Sequence, residues 1–181
     1  MRKLLILTIL FGLTYSNNYF SGLSHATSDN LDALSKNPAG LGIDRGLQLG
    51  FGIDQEFIDS KKVGLGLKFK EYGASLILDE KGNYQYVIGS GSYFSKANLY
   101  YGKTYSSEKD LAMGLLFRPL NWLSSGLTYN YNFETELHGL DLGVAFRTLG
   151  NRLTFSLDVS NNDILNLNDN IDFSTNLNVK I

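Results

Sequence analysis

At 181 residues, with a formal net charge of -2 and no cysteine, the chain is long enough for one domain with its own core and gives no electrostatic case for a nucleic-acid partner. It can form neither a disulfide nor a lipid-modified cysteine anchor. Its 19 glycines are the compositional feature that any fold must account for.

In chain order, Arg2 and Lys3 precede an apolar run from Leu4 to Leu13, and Thr14 and Ser16 come after it. A basic start, a short apolar run and small residues behind it predict a secretory signal peptide over residues 1–16. The run is roughly half of the 20 or so residues a helix needs to cross a bilayer, so the alternative of an uncleaved membrane anchor is the weaker one. Residues 17–45 form a second unit. In "SDNLDALSKNPAGLG" Ser28 is placed to cap a short helix with Leu31 and Leu34 on one face, and Pro38 forces Asn37 out of helical geometry. Gly40 and Gly42 then permit a sharp turn into the first strand.

From residue 46 to 181 the sequence alternates with period two, the signature of strands with one apolar and one polar face. "RGLQLGFGID" sets Leu47, Leu49, Phe51 and Ile53 against Gln48, Gly50, Gly52 and Asp54, and "KKVGLGLKFK" sets Val63, Leu65, Leu67 and Phe69 against lysines and glycines. "LAMGLLFR" is in phase except at Leu116, and "LSSGLTYNYNFE", "GLDLGVAFR", "NRLTFSLDVS" and "IDFSTNLNVKI" repeat the pattern. "YGASLILDE", "YQYVIGSGSYF" and "KANLYYGKTY" blur it but lie between turn signals. About ten strands are predicted, all-β and antiparallel with up-and-down connections.

The alternation fits a soluble β-domain with its apolar face inward, or an outer-membrane barrel with its apolar face in lipid. Three features favour the membrane: glycine-rich polar faces, an export signal, and aromatic residues near strand ends at Tyr72, Tyr84, Tyr93, Tyr105, Trp122, Tyr129 and Tyr131. The predicted fold is therefore an antiparallel up-and-down transmembrane β-barrel with a short N-terminal helical hatch, in the outer membrane of a Gram-negative bacterium. Its partners would be outer-membrane lipid and the barrel assembly machinery. Lys62, Lys68, Lys70, Asp79, Arg118, Glu134, Asp141, Arg147, Arg152 and Asp158 then become lumen residues of mixed sign. Among them Lys62, Lys68, Arg118, Glu134, Asp141 and Arg147 are the lumen candidates.

No motif predicts an enzyme, a metal site or a cofactor. His25 and His138 are far apart and neither has a neighbour at ligand spacing. "GLGLKFK" and "GSGSY" sit within strand patterns and lack the helix a phosphate loop requires. "NNDILNLNDN" reads as a solvated turn.

"SDNLDALSKNPAGLG" resembles the N-terminal signature of the FadL-like outer-membrane proteins and their PorV-like relatives, with Asp29 and Asp32 in the acidic places and Asn37, Pro38, Ala39, Gly40 and Leu41 in the core motif. Ser35 and Lys36 replace the family's usual aromatic residue. The resemblance implies that this segment is a hatch within the barrel, that Asn37 to Leu41 are its hatch and ligand candidates, and that the function is passive uptake of a hydrophobic or other small molecule. Gly50, Gly52, Gly64 and Gly66 would make space for it. Together with "FRPLNWLSSGLTYNY" and "FRTLGNRLTFSLDVS", the segment also resembles the barrel extension found ahead of SppA-type signal-peptide-peptidase domains. That implies a membrane anchor or docking barrel instead, and it makes the chain part of a longer product. A soluble periplasmic β-domain is the third alternative.

Overall fold

A chain that alternates apolar and polar residues satisfies both only as extended strands in a sheet with two unlike faces, and the computed structural model contains ten of them among its described residues. It describes residues 24–43, 46–54, 62–148, 153–165 and 171–179; the predicted signal peptide lies outside these. The strands are β1 (Leu47–Asp54), β2 (Lys62–Phe69), β3 (Tyr72–Asp79), β4 (Tyr84–Phe94), β5 (Leu99–Ser106), β6 (Asp110–Leu120), β7 (Leu123–Asn132), β8 (His138–Thr148), β9 (Leu153–Asn161) and β10 (Ile171–Val179). They form one antiparallel sheet in the order β1 to β10, each paired with its neighbours in sequence. The three segments with blurred faces are β3, β4 and β5. Among the described residues β1 and β10 are the two edges and do not pair with each other. Hairpins alone complete such a ladder; closing it into a ring would need an additional pairing between its first and last strands.

The register puts like with like. Phe51 lies opposite Leu65, which lies opposite Leu76; Leu115, Leu127 and Leu142 form a similar row across β6, β7 and β8. This apolar face is the exposed one: Leu49 is 77% accessible and Phe173 73%. The opposite face carries buried Ser75, Thr104, Ser124, Thr128, Asp141, Ser156 and Asp158. Tyr72, Tyr84, Tyr105 and Tyr129 are on the apolar side near strand ends. Tyr93 is not: two residues beyond Gly91, it faces inward and stacks on Tyr100 with ring centroids 4.5 Å apart.

Turn chemistry closes the hairpins. Gly82 takes φ +80°, while Asp79 Oδ1 accepts from the backbone N–H groups of Lys81 (2.9 Å) and Asn83 (2.8 Å), an Asx-type staple. Pro119 is the next-to-last residue of β6, and the β6–β7 register slips between Phe117 and Leu120. A residue without an N–H is accommodated at such a bulge.

Residues 24–43 lie on the polar side of the sheet. They contain two short 3-10 turns, Leu31–Leu34 and Pro38–Gly42. Ser24 bonds to Asp158 in β9, and Asn30 accepts from Gln48 in β1. From β1 to β9 is eight strand spacings, about 38 Å if the sheet were flat. The six residues from Ser24 to Asn30 extend at most about 21 Å, and a turn between Ser24 and Thr27 shortens them further. The sheet is therefore curved around the segment.

Candidate functional site

The segment is seated in a trough cut by glycine. Gly91 is paired with Gly102, and Gly102 with Gly114, so three neighbouring strands lack side chains at one level of the inner wall. A Cβ on Gly102 would stand 2.2 Å from the carbonyl oxygen of Pro38, and one on Gly114 would stand 2.1 Å from Asn37 Oδ1. Backbone meets backbone at Gly102, and the Asn37 side chain meets bare backbone at Gly114, approaches that only glycine allows. Of the glycines the sequence pointed to, Gly64 and Gly66 are buried on this inner face, but Gly91, Gly102 and Gly114 form the trough. Their signal was recurrence at the length of one hairpin rather than within one strand.

Asn37 is the centre of the contact. It is extended (φ -142°) and fully buried, as the residue before a proline is steered to be. Its Oδ1 accepts from Ala39 N–H (3.1 Å), opening the second 3-10 turn with Pro38 at its first position. Its Nδ2 donates to the carbonyls of His25 (2.9 Å) and Leu115 (3.0 Å). One side chain thus binds the segment to itself and to the wall.

Pro38, Ala39, Gly40 and Leu41 are all buried. Leu41 joins Leu31, Ala33 and Leu34 in a small apolar core against Val87, the only inward place where this chain gathers buried leucines among the described residues, apart from Leu116. Two details differ from the sequence reading. Ser28 does not cap the first turn, because that turn starts after Asn30 and the Ser28 hydroxyl donates back to the Ser24 carbonyl (3.0 Å). Neither Gly40 nor Gly42 takes a positive φ; a Cβ on Gly40 would overlap the Ser28 carbonyl at 1.6 Å, so close packing, not turning, requires that glycine.

A polar network continues the seal. The Asp158 Oδ1 accepts from Ser24 Oγ (2.8 Å) and from the His25 N–H (3.0 Å). His25 Nδ1 lies 3.2 Å from Thr128 Oγ1, and its Nε2 lies 3.9 Å from Asp141. Burial holds the His25 imidazole below its ordinary pKa, with the Asp141 carboxylate working against that. Histidine, hydroxyl and carboxylate in this order suggest a nucleophile and its base. The Thr128 hydroxyl, however, donates to the Lys36 carbonyl (3.0 Å), and all three groups are buried where the segment meets the wall, which leaves the proton committed to structure. Asp141 also accepts from Asn130 (2.6 Å). At one end of the wall, Asp29 pairs with Arg118 and lies 3.7 Å from Arg147, whose Nη1 donates to Ser124 Oγ (3.1 Å). Ser124 in turn donates to the Ala26 carbonyl (2.7 Å).

Of the lumen candidates, Arg118, Asp141 and Arg147 therefore face the segment, as does Asp158. Lys68 is on the same face and fully buried. Lys62, at the start of β2, is exposed opposite Asp79. Glu134 is not on the wall: it lies in the turn after β7, exposed and paired with Lys109 (2.6 Å). Its alternation with neighbours runs past the point where the strand stops. Arg152 lies outside the described residues.

Compared with protein-family models, with curated proteins and with solved structures, the chain finds no match in any of the three.

Proposed function

We propose that this chain is an outer-membrane β-barrel protein whose residues 24–43 plug the lumen, and that it passes hydrophobic or small solutes when the plug yields. The observation that carries this reading is the inversion of the sheet: leucines and phenylalanines on the exposed face, serine, threonine, aspartate and glycine on the covered one. Water as the outer solvent would penalise that arrangement along most strands, β4 and β5 being the ones that also turn Ser90 and Lys103 outward, and lipid would reward it. In lipid the two edges must find partners, since unpaired backbone groups there cost several kcal/mol each. The hatch motif that resembles FadL-like proteins lies within the segment that fills the wall.

Connection lengths orient the barrel. At the end from which the chain enters β1, the connections are Lys70–Glu71, Ser95–Asn98, Asn121–Trp122 and the four positions between Thr148 and Leu153; at the other end, beside the shorter Glu80–Asn83, Ser107–Lys109 and Phe133–Leu137, seven positions separate Asp54 from Lys62 and nine separate Asn161 from Ile171. Short turns are periplasmic and long ones extracellular in such barrels, which directs Asp29, Arg118 and Arg147 toward the periplasm.

A second reading, a docking or anchoring barrel with a permanent plug, is supported by the buried donors of Asn37. One pair of experiments separates the readings. Cell fractionation with heat-modifiable gel migration tests the membrane assignment, which a soluble, non-modifiable product would refute. Deleting Ser28 to Leu41 and measuring solute leakage from liposomes tests the plug: a folded deletion variant that leaks supports passage, and one that stays tight supports docking.

A further inference from the structure

Two guanidiniums, Arg118 on β6 and Arg147 on β8, converge on a single carboxylate, Asp29, which belongs to the plug. The Arg147 side chain is nine-tenths buried and that of Arg118 only slightly less so. Even so, their hydrogen-bonding capacity is not used up: Arg118 Nε and Arg147 Nη2 are buried without any hydrogen-bond partner. Arg147 Nη2 is within ion-pair distance of Asp29 at 3.7 Å, too long for a hydrogen bond. Buried donors on charged groups are costly to leave unmade, and two positive charges facing one negative leave the pocket under-neutralised.

We infer that Arg118 and Arg147 form a binding site for a small oxyanion, a carboxylate or phosphate group, which Asp29 occupies in the plugged state. A guanidinium presents paired donors that match either group, and an oxyanion from outside has oxygens enough to reach the donors that Asp29 leaves unpaired. The Asp29 side chain is about one-third exposed, so the site is approachable from water at the short-turn end. Binding there competes directly with the plug: the incoming anion takes the place of Asp29, and the segment loses its ionic tie to β6 and β8. The site lies on the inner wall, away from the apolar face, which favours a water-borne anion over a lipid headgroup as the source. This inference rests on contacts between plug and wall, and it holds whether or not the apolar face is in a membrane.

The test uses the whole folded chain in neutral detergent. Inorganic phosphate is titrated against the wild type, Asp29→Asn, and Asp29→Asn combined with Arg147→Gln, with calorimetry as readout and the single tryptophan, Trp122, as a second one; its carbonyl accepts from the Arg147 N–H (2.8 Å). Removing the internal competitor should tighten phosphate binding about tenfold or more, and removing Arg147 should abolish the gain. A parallel arm replaces phosphate with micelles doped with phosphatidylglycerol. Tightening in the first arm supports the water-borne source; tightening in the second alone keeps the oxyanion site and reassigns its source to lipid. Equal affinities for all three proteins in both arms overturn the proposal. If the variants do not fold, amide exchange of residues 24–43 in the wild type decides: faster exchange in phosphate than in chloride at matched ionic strength supports it, and identical exchange overturns it.

Discussion

The side-chain amide of Asn37 donates to the carbonyl of Leu115, 3.0 Å away and 78 residues on. Because the same nitrogen also serves the His25 carbonyl, removing it strands two acceptors in the buried contact between plug and wall. Asn37→Ala should loosen the segment by about 1 to 3 kcal/mol, the cost of an unmade buried hydrogen bond. Asn37→Asp should loosen it further, since a carboxylate opposes two carbonyls with no donor. Hydrogen exchange of residues 24–43 reads this directly; equal protection in wild type and Asn37→Asp would rule out the anchoring role.

Glycine at the trough should be intolerant of one methyl group. Gly102→Ala puts a carbon 2.2 Å from the Pro38 carbonyl oxygen, and overpacking of this kind costs about 1 to 3 kcal/mol. Gly139→Ala, whose added carbon would meet its nearest neighbours at 3.4 Å, is the control and should be close to neutral. Thermal unfolding of the two variants side by side checks the contrast.

The two faces should differ in what arginine does to them. At Leu142, exposed on the apolar face, arginine should cost about 2 to 4 kcal/mol near a bilayer midplane. At Thr128, buried on the other face, it should expel the plug while leaving the sheet in place. Folding titrations into lipid vesicles measure the first effect and protease sensitivity of the segment the second. Equal tolerance at both positions would sink the membrane assignment.

These expectations depend on a division that the sequence displays plainly and on a contact that it hides. Alternation shows which residues share a face, so Leu65, Leu127 and Leu142 are readable as one surface, and Asn37-Pro38 as a break in a helical turn. Where the segment around that turn sits is another matter, because its partners are Leu115, Thr128 and Asp158, brought near by pairing between strands and not by proximity in the chain. Leu116 illustrates the gap. It breaks the polar face of its strand, and the structure accounts for it by burying it completely on the side where the segment lies. Glu134 and Tyr93 fail for simpler reasons: the first lies past a strand end, and the second is near a strand end but on the inward side.

Acid should tighten the plug through Asp32, while His25, whose pKa burial lowers, works the other way as it charges. Burial, with the nearby Asp29 carboxylate adding to it, raises the Asp32 carboxyl from 3.8 to about 6. A folded-state pKa above the unfolded one means that the docked segment binds the proton more strongly. Its contribution is therefore fully present below pH 3.8 and lost as pH rises through about 6. Asp32→Asn keeps the acceptor for the Asn30 N–H (2.8 Å) and should remove the acid-side gain, leaving only the opposite trend that His25 sets. Protease sensitivity of residues 24–43 between these pH values provides the measurement.

The tie between Ser24 and Asp158 spans 134 residues, and it imposes an order on assembly. The segment is synthesised before any strand of its wall, yet the last of its polar partners emerges only with β9. Contacts of such separation form slowly, because a long loop must close before they return any stabilisation. Refolding followed by pulsed amide exchange should therefore show the β4–β7 hairpins protected first and the amides of Ala26 and Ala39 last. Until then the wall's row of bare glycine backbone stands open to water or to any extended chain that reaches it, so the interval before docking is the one in which this protein most needs shielding from its own kind.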